Sequence, residues 1–310
     1  MAKNKETETK TVSYALPTLE ELLEAGVHFG HQTRRWNPKI SPYIYKEQNK
    51  IHIFDLLKTY EKLKEACDFL YTECSAGKTV CFVGTKKQAA EIIKKEAQRC
   101  GAFYVSERWT GGMITNFDHV RNKMIRLKTI EQGLVPGGKF EKYTKKERLD
   151  LERDAIKLEE EVGGVRNMDK VPDVLFVVDI KKELTAVLEA RKREIPIVAL
   201  VDSNCDPTIV TYVIPGNDDA ARSLEIVTKA VADAVEAGYK TWGEVRSKQK
   251  QEESAKTPDQ KVTPIQSPKK EVAPKEEKKV EKVKKTESTV SLTKGAEPEK
   301  KKRGRPKKAK

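Results

Sequence analysis

Nine residues near the start of the chain, His31-Gln32-Thr33-Arg34-Arg35-Trp36-Asn37-Pro38-Lys39, bring together two guanidinium forks, an ammonium, an indole and several amide groups. Arginine pairs phosphates through two parallel hydrogen bonds, and an aromatic ring stacks on an exposed base or sugar, so this set suits a nucleic-acid backbone. A second block, Arg108-Trp109-Thr110-Gly111-Gly112, repeats the coupling of arginine to tryptophan. Alone, either block more commonly describes a surface arginine beside a half-buried tryptophan. Together with the charged stretch that holds Arg121, Lys123, Arg126, Lys128, Lys142, Lys145, Lys146 and Arg148, they read as separate positive patches. Such patches suit a structured RNA recognised by its shape and phosphate positions.

Other chemistries find less support. Ser75-Ala76-Gly77-Lys78-Thr79 ends like a phosphate-binding loop, but Thr72 stands where the motif needs its first glycine, and the helix and strand come in the wrong order. Gly84-Thr85-Lys86-Lys87 lies at a strand-to-helix turn, where a lone glycine fits an ordinary helix start better than a nucleotide site. There is no G-x-S-x-G elbow, no H-E-x-x-H, and no nucleophile–base–orienter set among the four histidines. Asp179, Asp202 and Asp206 fall at the carboxyl ends of strands, where open α/β sheets place ligands. If the N-terminal loop folds over that edge, His28 with Asp179 and Asp202 could hold a divalent metal ion. The plainer alternative is that these residues cap turns and helix starts. No other cofactor is indicated.

Net charge locates the partners. The chain carries +13, yet 22 of its 61 basic and 10 of its 48 acidic residues lie from Arg246 onward, so the first 245 residues are almost neutral. No window of about 18 apolar residues is present. Residues Met1 to Lys10 lack an apolar core of a secretory signal. Five cysteines without a C-x-x-C pair read as reduced thiols of a cytoplasmic protein.

The elements that must position these groups follow from periodicity. Thr18 and Glu21 form a capping box before Leu19, Leu22 and Leu23. Short strand-like runs cover 43–45 and 51–54, then an amphipathic helix covers 56–75. Val80-Cys81-Phe82-Val83, Val174 to Val178 and Ile197 to Val201 are continuous apolar runs, as expected of strands covered on both faces. Helices over 86–99, 181–193 and 218–236 alternate with them, which predicts a parallel sheet between helical layers. Phe117, Val120, Met124 and Leu127, then Leu151, Ala155, Leu158 and Val162, keep heptad-like spacing on either side of Val135-Pro136-Gly137-Gly138. That predicts an inserted antiparallel coiled-coil hairpin standing away from the sheet. The expected organisation is a flexible arm at 1–16, an α/β/α domain at 17–114 and 165–245, the hairpin at 115–164, and a disordered lysine-rich tail at 246–310.

Several blocks carry a resemblance. Leu22-Leu23-Glu24-Ala25-Gly26-Val27-His28-Phe29-Gly30-His31 with Arg35-Trp36-Asn37-Pro38-Lys39 resembles the N-terminal signature of the bacterial small-subunit ribosomal protein S2 family. Arg108 to Asn116, Pro172 to Asp179, Val201 to Pro207 and Ile214 to Ala220 resemble further blocks of that family in the same order, so the likeness spans about 18–245. It implies a flavodoxin-like three-layer α/β/α fold and a structural, non-catalytic role in translation. It also implies contact with 16S ribosomal RNA near the head–body junction, and recruitment of ribosomal protein S1 among neighbouring small-subunit proteins. On this chain the implied RNA contacts fall on Arg34, Arg35, Trp36, Lys39, Arg108 and Trp109, with Arg121 and Lys123 of the hairpin as further candidates.

The tail lies outside the resemblance. Its Arg303-Gly304-Arg305-Pro306-Lys307 is similar to an AT-hook, whose extended arginines enter a narrow A·T minor groove. Arg303, Arg305 and Lys307 therefore fit either an electrostatic tether to ribosomal RNA or a DNA contact. Two alternatives to the ribosomal reading follow, a DNA-associated protein on an α/β scaffold and a ligand-binding enzyme using the carboxyl edge of the sheet.

Overall fold

The computed structural model describes residues 14–255, and of residues 248–255 the backbone alone. In α1 (Leu19–Glu24) the Thr18 hydroxyl accepts the Glu21 amide at 3.2 Å while the Glu21 carboxylate accepts the Thr18 amide at 2.7 Å, the reciprocal cap expected from the sequence. Strands β1 (Phe29–Gln32), β2 (Ile44–Gln48) and β3 (Ile51–Phe54) form an antiparallel sheet of order β1-β3-β2. Helix α2 (Leu56–Ser75) starts at Asp55, whose carboxylate accepts the Leu57 amide at 3.1 Å. There follow β4 (Val80–Val83), α3 (Lys87–Cys100), β5 (Phe103–Val105), α4 (Phe117–Leu134), α5 (Lys145–Val162), β6 (Val174–Val178), α6 (Leu184–Lys192), β7 (Ile197–Val201), β8 (Tyr212–Pro215) and α7 (Ala221–Ala255).

Strands β4 to β8 build a parallel sheet of order β5-β4-β6-β7-β8. Counted from β4, that is the 2-1-3-4-5 winding of flavodoxin-like folds. Every residue of β4, β6 and β7 is buried, because helices cover both faces. Alternation sends Phe82, Phe176, Val178, Val198 and Leu200 to one face, against α2, α3 and α7. Cys81, Val83, Leu175, Val177 and Ala199 face the other way, against α6, Trp109 and the first turns of α4. No helix among the described residues is long and apolar enough to cross a membrane.

The boundaries differ from expectation at two places. Order reaches back before Pro17: the Tyr14 hydroxyl donates to Asp68 at 2.6 Å, and Leu16 packs on the core. Helix α7 runs past Glu236 to Ala255, into the stretch read as tail. Gly238 does not stop it, because the missing side chain is what lets α7 approach α2; a Cβ there would lie 2.5 Å from that of Cys74. The hairpin forms as expected, α4 and α5 being clasped by Lys123–Glu161 at 2.6 Å and Arg126–Asp154 at 2.8 Å. Val120, Met124 and Leu127 are buried at its base, whereas residues 141–150 are exposed at every position.

Candidate nucleic-acid interface

The basic loop leaves β1 and lies across the residues that follow β7. The His31 amide donates to Asp202 Oδ1 at 3.1 Å and Ser203 Oγ at 2.7 Å, and the Asn37 amide donates to the Ser203 carbonyl at 2.8 Å. Thr33–Arg35 and Pro38–Tyr43 form two short 3-10 turns on that footing, the second started by the Asn37 side chain accepting the Lys39 amide at 3.0 Å. Arg34 and Arg35 are exposed, and neither has a carboxylate within ion-pairing distance among the described residues. Trp36 rests against the buried His52 with ring centroids 4.9 Å apart and stays 37% exposed, so part of its indole remains open to a stacking partner.

Lys39 is placed differently from the expectation of a free cation. Its Nζ is 2.6 Å from Asp206 and 3.3 Å from the Thr208 hydroxyl. Burial alone would raise the Asp206 carboxyl, but Lys39 and Thr208 bring it down to about 2. Lys39 thus pins the loop to 206–208, and its charge is already compensated.

Trp109 departs further. Arg108, just beyond the carboxyl end of β5, is exposed, but Trp109 is only 8% exposed and its indole N–H points inward to Glu189 Oε1 at 3.3 Å. An indole buried with its donor satisfied is a core residue, not a platform for bases. On the hairpin, Arg121 is exposed and unpaired among the described residues, whereas Lys123 is held by Glu161. Two exposed regions therefore share the carboxyl side of the sheet, the loop over β7 and Arg108 beyond β5. Three strand spacings separate these strands, roughly 15 Å.

Beneath the loop lies a cluster of buried charge. His31 Nδ1 is 2.9 Å from Asp202 Oδ2, and its Nε2 is 3.4 Å from Asp219. Lys86 reaches Asp218 at 2.9 Å and Asp179 at 3.6 Å, and also pairs with Asp219. Asp218 is fully buried, and its Oδ2 has no partner. Burial, with Asp202 and Asp179 close by, pushes its carboxyl up to about 7. The hydrogen bond to Asp202 raises His31. His31, Asp202 and Asp218 each offer a ligand atom within 4.8 Å of the others, so these three could hold a divalent ion.

The metal set expected from the sequence is thereby corrected. His28 is not in the cluster; its ring lies on Phe29 at 4.0 Å, and its Nδ1 is buried without a partner. His31 meets Asp202, whereas His28, just ahead of β1, lines a groove with Leu23 and Tyr45. Asp179 turns to the start of α6, accepting the Lys181 and Lys182 amides at 3.1 Å each.

Among the described residues, the same crevice is occupied by the chain's own side chains. The switch point between β4 and β6, where this winding places its ligands, is filled by Lys86 and by Glu183, which accepts the Thr85 amide at 3.1 Å. Gly84 serves packing, since a Cβ there would come within 3.0 Å of Ile93. The Thr79 amide and hydroxyl of the phosphate-loop lookalike both donate to Asp173, at 2.8 and 2.9 Å. All five thiols are buried, and desolvation pushes those of Cys74, Cys81 and Cys205 to about 12, far from nucleophilic.

Sequence reasoning did not mark one further feature. His28 lines a groove of about 390 Å³ with Leu23, Tyr45, Ile53 and Leu57. Tyr45 and Leu57 are 70% and 63% exposed, and Leu23 and Phe29 are also open. The signal available was Tyr45 on β2, a strand that is otherwise polar after Ile44. Arg303, Arg305 and Lys307 of the tail lie outside the described residues.

The profile of the ribosomal protein S2 family matches residues 22–238. A protein of Geotalea uraniireducens (strain Rf4), the small ribosomal subunit protein uS2, is 54% identical over 221 residues, which cover 71% of this chain and 86% of that protein. This match to a family of ribosomal proteins overturns the enzyme alternative. The parallel sheet, the inserted hairpin and the basic loop above β7 are thus those of a ribosomal protein and not of an enzyme, and the chain belongs to the ribosomal protein S2 family.

Proposed function

We propose that this chain is a structural constituent of the small ribosomal subunit that binds 16S ribosomal RNA near the head–body junction through the carboxyl side of its sheet. The observation that carries the reading is the freedom of Arg34, Arg35 and Arg108. They are exposed without carboxylate partners among the described residues, whereas Arg99, Arg126 and Arg166 are each spent on acidic neighbours. Free guanidinium groups beside a half-open indole fit phosphates flanking an unstacked base. Arg121 extends the surface along the hairpin.

The chain also supports recruitment of ribosomal protein S1. The groove around Leu23, Tyr45 and Leu57 favours this, because an exposed apolar patch on a protein otherwise facing RNA suits a protein partner. The test is co-sedimentation of the tagged full-length chain with small subunits from its own cells, before and after a high-salt wash. Stoichiometric co-migration is expected; a chain found mainly free, or on DNA, refutes the assignment.

A further inference from the structure

The turn between β5 and α4 is a cage of donors around one carboxylate. Glu189 Oε1 accepts the Gly112 amide at 2.7 Å and the Trp109 indole at 3.3 Å. Its Oε2 accepts the Ile114 amide at 3.1 Å, with the Thr115 amide and hydroxyl at 3.2 Å each. Converging backbone N–H groups make an anion site, and here the anion is a side chain of the protein's own α6. Burial would raise the Glu189 carboxyl, but these N–H donors hold it below its ordinary value. Just past the end of α6, the Arg193 guanidinium donates to the Thr115 carbonyl at 3.1 Å.

Helix α4 begins two residues after Thr115, and its cap residue Asn116 makes no side-chain cap. The apolar base of the hairpin, Val120, Met124 and Leu127, resists separation but is non-directional. Hydrogen bonds are directional, so the cage is what orients the first turn. The distal hairpin has no covering side chains to correct an error, since residues 141–150 are all exposed. The 18 residues of α4 span about 27 Å, so a tilt of ~10° at Thr115 moves the tip by ~5 Å.

We propose that Glu189 is a positioning residue: its carboxylate, enclosed by the Trp109–Thr115 turn, sets the direction in which the helical hairpin leaves the body and so registers Arg108 and Arg121 on ribosomal RNA. The RNA half rests on the function proposed above; the orientation half does not. Residues on either side of the cage explain the arrangement. Arg108 is fixed because Trp109 is anchored, and Arg121 is fixed because it lies in the second turn of α4.

The test places spin labels at Lys139→Cys near the hairpin tip and Lys94→Cys on α3 of the full-length chain, both exposed in the native protein, whereas the native thiols are all buried. Pulsed dipolar distances are then compared for the native background and Glu189→Gln, which turns one acceptor oxygen into a donor facing other donors. A distribution broadened or shifted by about 5 Å is expected, the tip displacement of a ~10° tilt. It should come with at least tenfold weaker binding to a 16S ribosomal RNA fragment and unchanged far-ultraviolet circular dichroism. Trp109→Phe, which keeps an aromatic side chain but loses the indole N–H and part of the ring volume, should give a smaller change of the same kind and serves if the glutamine variant does not fold. An unchanged distance distribution in the folded variants overturns the proposal, whatever the RNA result. An altered distance with unaltered RNA affinity overturns the registration of Arg108 and Arg121. Absence of RNA binding by the native chain refutes the proposed function, while the distances still judge the cage.

Discussion

Replacing Arg34 and Arg35 together by alanine separates the free cations from the committed ones. Each arginine that neutralises one phosphate contributes about 0.7–0.9 to the slope of log affinity against log salt, through counterion release. Both guanidinium groups are exposed and unpaired among the described residues, so the double variant should lower that slope by about 1.4–1.8. Between about 50 and 200 mM salt, a factor of four, the native protein should therefore lose roughly tenfold more affinity than the variant. The basic tail adds the same salt dependence to both proteins, so it cancels in the comparison. Lys39→Ala behaves differently, because its ammonium already faces Asp206 at 2.6 Å and takes a phosphate only by giving that contact up. It should leave the slope unchanged while loosening the loop. Trp36→Ala should weaken binding at every salt concentration, since stacking of one base is worth ~1–3 kcal/mol and carries no counterion release. The assay is filter binding of a 16S ribosomal RNA fragment by the full-length chain over a salt series. If Arg34 and Arg35 can be removed with no change in slope while Lys39→Ala lowers it, the assignment of free and committed cations is wrong.

The buried cluster makes stability depend on pH. Asp218 titrates at about 7 in the folded chain against about 3.9 unfolded, so the folded state holds the extra proton between those values and stability falls as pH rises through that range. His31, raised by Asp202, adds stability that is complete below about 6.5 and lost as pH rises through its folded value, which is the same direction. Thermal unfolding at pH 5 and 8 in the presence of a chelator should show this fall, and Asp218→Asn should flatten it; a curve equally steep in the variant would remove Asp218 as its source. Tyr45→Ser combined with Leu57→Ser should change stability by no more than ~0.5 kcal/mol, both side chains being largely exposed, yet reduce the S1 retained on washed subunits. Undiminished S1 would exclude this groove as its docking place. Gly238→Ala weighs two opposing effects. Alanine gains ~1 kcal/mol in helix propensity, but its Cβ would fall 2.5 Å from that of Cys74, and overpacking costs ~1–3 kcal/mol. Net destabilisation is expected in thermal unfolding, and a stabilised variant would mean that α2 and α7 are not so closely apposed.

Local pattern carried the elements well. Val174 to Val178 and Ile197 to Val201 are strands covered on both faces, as their continuous apolar runs predict, and the Thr18–Glu21 capping box marks the start of α1. Where a helix ends was less legible. Gly238 reads as a stop to any local rule, yet it lies inside α7 because the neighbouring helix needs the space.

What the residue order determined by itself was the alternation of strands and helices, the heptad hairpin, the near-neutral body with its basic tail, and the presence of arginine–tryptophan blocks. Each depends on neighbours within about one turn of helix or two residues of strand. Tertiary structure alone decided which members of those blocks are available. Trp109 is withdrawn by a glutamate 80 residues away, Lys39 is neutralised by an aspartate 167 residues away, and His31 meets an aspartate 171 residues away, displacing His28. A side chain's type is written in the chain, but its free charge and open face depend on what the fold brings within about 4 Å, where Coulomb and hydrogen-bond energies become large.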